Sequence, residues 1–295
     1  MPNPKTKSWQ RHASPLARQA CIAYAALLVI ASLYPLAGWR DAGVSPWAYL
    51  TAPWPRWLTG FDMVTNVMAY VPFGVVAVLA VHPALRGAAA VVVATVLGAL
   101  LSGGLEALQT YLPNRIASNV DLGLNAAGTL LGALLVAPFA SALLDRGPMR
   151  DLRRRWFERD ASRGLVLVGL WLAAQLAPLP ILFGFGEIVT PAFELYAELT
   201  STPMDPPVWI DFTPEDVVAN EALIAGGGLA GVALLMLELT RPNAPRFRLV
   251  LGLVALAVGA RSLASAIALS AEDALNWATP GAKLGLAIGL ALALA

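Results

Sequence analysis

Charge is scarce in this chain. Only 13% of its 295 residues are Asp, Glu, Lys or Arg, against roughly 25% in a typical soluble domain. A single cysteine, Cys21, excludes any intrachain disulfide, and its place in an apolar run marks it as a packed thiol. The two histidines, His12 and His82, stand apart from the polar cluster described below, which excludes a histidine-ligated zinc site there. A net charge of +1 gives no basis for a nucleic-acid partner. No serine or cysteine nucleophile has a nearby base. No low-complexity tract, soluble domain or convincing repeat between the halves is visible. What fills the space is hydrophobic: 58% of the residues, in runs parted by polar clusters. That pattern predicts an all-α, polytopic integral membrane helical bundle.

A span needs about 20 apolar residues. Hydropathy predicts seven spans, with approximate cores 18–37, 63–83, 88–111, 121–143, 164–183, 219–239 and 247–269. An eighth run, 281–295, follows Pro280 and is short enough to be a half-span or a truncated helix. The prediction is therefore seven to eight transmembrane helices. The first run follows Lys5, Lys7, Arg11 and Arg18, as a signal peptide would, but its long core lacks a small-x-small cleavage site, so it reads as an uncleaved anchor.

Lysine and arginine set the expected orientation. The N-terminal tail and the loops after spans 2, 4 and 6 hold 15 of the 20 basic residues. These segments share one side, which is expected to be cytoplasmic, with the N-terminus. The loop between spans 5 and 6 carries seven acids from Glu187 to Asp216 and no lysine or arginine, so it is expected outside. The expected domains are a four-helix transmembrane domain (1–145), a basic cytoplasmic linker (146–163), and a second transmembrane region (164–295) with an acidic outer loop (184–218). The linker is a solvated, topology-fixing connector or a contact for anionic headgroups. The outer loop is expected to form short interfacial helices.

Spans 2, 3 and 4 carry their polar residues at one end. Asp62 and Asn66 open the second span, Glu106 and Gln109 close the third, and Asp121 and Asn125 open the fourth, after Arg115 and Ser118. Alternating spans bring all eight to one surface, expected to be the outer one. Ionisable and amide groups in a bilayer are costly, face the bundle interior and mark functional sites. Asp62 is placed to cap its helix, and Ser118 with Asp121 fits a capping box. Asn66 and Asn125 each lie one turn, roughly 6 Å, deeper than their aspartate. Arg115 is within reach of the carboxylates. The bland alternative makes these groups caps, an ion pair and interhelical glue. Pro72 frees the Met68 carbonyl and kinks span 2. Gly128-x3-Gly132 is a close-packing motif.

The pattern Asp62-x3-Asn66-x3-Tyr70-x-Pro72-x-Gly74, followed by Glu106-x2-Gln109-x3-Pro113-x-Arg115-x2-Ser118-x2-Asp121-x3-Asn125-x2-Gly128-x3-Gly132, resembles the VanZ-like family of membrane proteins. The similarity covers roughly residues 20 to 143. It implies a cell-membrane protein, the bacterial inner membrane for this chain. The family's founding member is associated with resistance to teicoplanin, and the family has no assigned reaction. Near the start of span 2, where the family often has histidine, this chain has Asn66.

Trp39, Trp47, Trp54 and Trp57 precede Asp62 and read as interfacial anchors or as a lid or sugar-stacking platform. In the second half, Arg261 lies deep in span 7 and needs a partner, with Glu221, Glu272 and Glu187 as candidates. Gly281-x3-Gly285-x3-Gly289 predicts a tightly packed last helix, within the chain or in an oligomer.

The first functional reading is a protein that binds or handles an outer-leaflet substrate, a lipid-linked or glycan headgroup, through Asp62, Asn66, Glu106, Gln109, Arg115, Ser118, Asp121 and Asn125. The alternatives are a structural, partner-binding membrane protein or an acid/base enzyme acting on an envelope lipid through Glu106 and Asp121 or Asp62. A transporter ranks last, because the polar groups line no path to the other side. Membrane lipids are the expected partners. No cofactor is expected: an oxygen-ligated Mg²⁺ or Ca²⁺ has no signature spacing here.

Overall fold

The computed structural model describes residues 14–41, 43–55, 59–176, 181–184, 189–202 and 213–294. Lys5, Lys7, Arg11, His12, Trp57 and Glu187, singled out above, lie outside the described residues, as do Pro178, Pro180, Trp209 and Phe212. The chain divides into two compact units, Met1–Asp151 and Leu152–Ala295.

The first unit contains α1 (Pro15–Leu33), α2 (Gly60–Val81), α3 (Gly87–Gln109) and α4 (Asn119–Val136). All four are long and apolar enough to cross a membrane. The pairing of α2 with α4 is set by glycine. A Cβ on Gly128 or Gly132 would overlap the carbonyl oxygens of Val67 or Val71, and one on Gly74 would overlap that of Thr129. Backbone contact of this kind replaces the hydrophobic drive that is missing between helices in lipid. Ala77, Val78, Ala90, Ala94 and Ala133 pack in the core beside the larger Leu28, Tyr70 and Phe73. At the other end from the polar cluster, His82 Nε2 lies 3.0 Å from Asp145 Oδ2, which also accepts from Ser141 Oγ at 3.2 Å.

The basic stretch after α4 holds α5 (Pro148–Trp156), with Arg153, Arg154 and Arg155 in its last turn. Burial lowers the Arg153 pKa from its ordinary value, and its Nη2 donates to Ser162 Oγ at 2.6 Å.

The second unit contains α6 (Ser162–Ala174), α7 (Val189–Thr200), α8 (Pro214–Leu239), α9 (Arg246–Ala268) and α10 (Pro280–Leu294). Of these, α8 and α9 are long and apolar enough to span, which makes six such helices among the described residues. The protein is an all-α membrane bundle. Two expected spans come out shorter. The fifth is helical for only 13 residues in α6, ending before residues that lie outside the description, and the eighth is the 15-residue α10. The expected short helix of the acidic loop is present as the 12-residue α7.

Gly281, Gly285 and Gly289 all face α8 of the same unit, against Glu221, Ala222 with Ala225, and Leu229. Their tight packing is thus intramolecular. Glu221, expected as a partner for Arg261, instead accepts from Thr279 Oγ1 at 2.6 Å. Arg261 is fully buried. Its Nη2 donates to Gln175 Oε1 at 3.1 Å and to the Ile181 carbonyl at 3.5 Å. Glu272, the other described candidate, sits in an exposed 3-10 turn.

Candidate functional site: the polar end of the first unit

Two helix starts and one helix end build the cluster. At the start of α2, Thr59 and Asp62 form a complete capping box. Asp62 Oδ2 accepts from the Thr59 N–H at 3.2 Å and from Thr59 Oγ1 at 2.7 Å. The same Oγ1 accepts from the Asp62 N–H at 3.1 Å. The Asp62 carboxylate is therefore occupied by its own helix, as the cap reading predicts. Thr59 was not singled out from sequence, although a threonine three residues before an aspartate is the signal that finds it.

At the start of α4 only half of the expected box forms. Ser118 Oγ accepts from the Asp121 N–H at 3.3 Å. The return bond does not go to Asp121. The Ser118 N–H donates to Glu106 Oε2 at 2.7 Å instead. Glu106, buried at 4% exposure, thus reaches across from the end of α3 and caps α4 in place of Asp121. A buried carboxylate needs strong hydrogen bonds, and an N-terminal amide of a helix supplies one with a favourable dipole. Asp121 is released. Its carboxylate has the Asn66 side chain as hydrogen-bond partner and feels the charges of Asp62 and Glu106.

One turn deeper, Asn125 Nδ2 donates to Ser102 Oγ at 2.9 Å. The Tyr70 hydroxyl bonds the same serine. Asn125 is 6% exposed, and its Oδ1 has no hydrogen-bond partner. Below this layer Thr129 is fully buried, and a Cβ on Gly98 would overlap its side chain. The polar groups therefore end on a sealed floor. Ser102 was missed from sequence, because a lone serine in an apolar run reads as packing.

Gln109 and Arg115 serve α1. Gln109 Nε2 donates to the Ser32 carbonyl and to Ser32 Oγ, both at 3.0 Å. Arg115 Nη2 donates to the Ala31 carbonyl at 3.4 Å and to that of Tyr34 at 3.2 Å. The expectation that Arg115 meets the carboxylates is thus corrected. The bare carbonyls at the C-terminus of α1 attract the guanidinium more directly.

The tryptophan segment lies against this end of the unit. Tyr49 is buried, and its hydroxyl donates to the Gly103 carbonyl at 3.0 Å. Burial, with the Glu106 charge second, raises its pKa. Asn119 Nδ2 donates to the Ala52 carbonyl at 2.8 Å, and the Arg40 N–H to that of Tyr111 at 2.9 Å. The other side of the segment exposes Trp47 and Trp54, at 56% and 79%. Among the described residues no group of three or more His, Cys, Asp or Glu has the geometry to hold a metal ion.

Helices able to span a membrane, with carboxylates and amides gathered at one end of a four-helix unit, define a polytopic membrane protein. A family model described as VanZ/LLP1 matches residues 4–141. The match over that stretch supports a VanZ-like family protein. No curated protein and no solved structure matches it.

Proposed function

We propose that the first unit binds or handles the headgroup of a cell-envelope lipid or lipid-linked glycan at the outer face of the bacterial cytoplasmic membrane. The distribution of lysine and arginine supports this orientation, with the N-terminus and the α5 region cytoplasmic. One observation carries the reading: Glu106 takes over the α4 cap and leaves Asp121, with Asn66 beside it, without a capping duty. A purely structural cluster would use Asp121 as Asp62 is used. In this reading Glu106, Asp121, Asn66 and Asn125 face the ligand. Asp62 and Ser118 hold helix starts, and Gln109 and Arg115 hold α1. The exposed tryptophans keep the rim of the site at headgroup depth.

A structural role is the rival reading, and the docking of Gln109 and Arg115 onto α1 favours it. Native mass spectrometry of the purified protein with envelope lipid extract separates the two. A headgroup-specific adduct that disappears in Glu106→Gln and Asp121→Asn, at an unchanged melting temperature for Asp121→Asn, supports binding. Loss of stability in both variants with no selective adduct in the wild type supports the structural role.

A further inference from the structure

The hydrogen-bonding character of the cluster narrows the ligand, on the reading that the cluster is a ligand site. Four of its donor groups already have a protein partner. Asn125 Nδ2 is bonded to Ser102, and the Ser118 N–H to Glu106. The Tyr49 hydroxyl is bonded to Gly103, and Asn119 Nδ2 to Ala52. Arg115, the cation nearest in sequence, donates to carbonyls of α1. The buried side-chain atoms of the cluster left without a partner are both acceptors. Glu106 and Asp121 are carboxylates that repel one another, and Asp62 repels Asp121 as well. Among the described residues no lysine or arginine forms an ion pair with any of the three.

A second observation is independent of the acids. Asn125 is 94% buried by its 6% exposure, and its Oδ1 has no partner one turn beneath Asp121. Asn119 Oδ1, in the first turn of α4, is likewise buried without a partner. A buried carbonyl left unpaired costs roughly 1–3 kcal/mol, so an orphan of this kind marks a place where a donor belongs.

From these acceptors we infer that the cluster recognises a hydrogen-bond donor, the hydroxyls of a sugar or polyol headgroup or the ammonium of an amino headgroup, and disfavours a bare phosphate. A phosphate brings only acceptors and negative charge, so it would meet like charge at Glu106 and Asp121 and leave Asn125 Oδ1 unpaired. A hydroxyl or ammonium satisfies the carboxylates and the amide oxygen together.

The test uses the full chain in phosphatidylcholine nanodiscs, whose choline headgroup carries no N–H or O–H donor. Glucosyl diacylglycerol, phosphatidylethanolamine and phosphatidic acid are titrated separately, with adducts read by native mass spectrometry. Sugar detergents are excluded, because their headgroups would compete. The expected result is at least a tenfold preference for the glucosyl lipid or the ethanolamine lipid over phosphatidic acid. Whichever of the two binds identifies hydroxyl or ammonium as the recognised donor. Asp121→Asn should remove at least tenfold of that preference at an unchanged melting temperature, which guards against Glu106→Gln simply misfolding. Phosphatidic acid binding as tightly as the donor lipids overturns this inference and leaves the ligand-site reading standing. Absence of any selective binding, with variants that only melt earlier, overturns both.

Discussion

The two helix starts that meet at the polar end look alike in sequence and differ in structure. Each has a hydroxyl residue, an aspartate three positions on and an asparagine four beyond that: Thr59, Asp62 and Asn66 in α2, and Ser118, Asp121 and Asn125 in α4. At α2 the aspartate closes its own capping box. At α4 the buried Glu106 takes the cap amide, and the aspartate is left facing Asn66. One motif therefore serves two purposes, and the difference comes from a third helix. The aspartate whose N-cap is satisfied from outside is left to the Asn66 side chain.

That contrast depends first on α2 and α4 being pressed together. Gly132→Val places a branched side chain against the Val71 carbonyl, where even a Cβ overlaps. The expected cost is about 3 kcal/mol, seen as loss of the monodisperse peak in size-exclusion chromatography. Gly123→Ala, with nothing within 4 Å of its Cβ, leaves the peak intact.

Removing the outside cap comes next. Glu106→Leu strands the buried Ser118 N–H and should lower stability by about 1.5–3 kcal/mol, the range for hydrogen bonds to charged groups. A thermal melt in detergent reads the loss. An unchanged melting temperature would show that Glu106 is not the cap of α4.

The two aspartates then separate in opposite directions. Asp62→Ala breaks the capping box and should cost about 1 kcal/mol of stability, with little loss of headgroup binding. Asp121→Ala should change stability by no more than about 0.5 kcal/mol, since lost dipole interaction is offset by relief of carboxylate repulsion, and it should abolish binding. Paired melts and lipid titrations check both. Equal effects from the two substitutions would erase the distinction between the helix starts.

The smallest effect belongs to Arg115→Ala. It removes a cation from the C-terminal carbonyls of α1 and should cost about 0.5 kcal/mol, with lipid selectivity retained. A marked increase in discrimination against phosphatidic acid in this variant would mean that the guanidinium reaches the site after all.

Much of this protein was legible in its composition and patterning. Long apolar runs have one low-cost solution in lipid, a helix with its backbone bonds internal, so spans 1 to 4, 6 and 7 are helices much as hydropathy predicts. Alternation of those spans also brings Asp62, Asn66, Glu106, Ser118, Asp121 and Asn125 to one end without further information. The glycine spacings announced close packing for the same reason: periodicity alone puts small residues on one face. Hydropathy reads length less well near prolines, and α6 is shorter than its apolar run.

Tertiary structure alone decided which polar group bonds which. Pairings across 12 residues, from Glu106 to Ser118, or 77, from Gln109 to Ser32, leave no local periodic trace. Arg115 was drawn to bare carbonyls of α1 rather than to the carboxylates, and Arg261 to Gln175 and the Ile181 carbonyl. The glycines of α10 met α8 within their own unit. The sequence by itself determined a membrane bundle with a polar end, because transfer into lipid is a property of each segment. Which aspartate caps its helix and which bonds Asn66 instead depended on the distance between side chains on different helices, and only the packed bundle sets that distance.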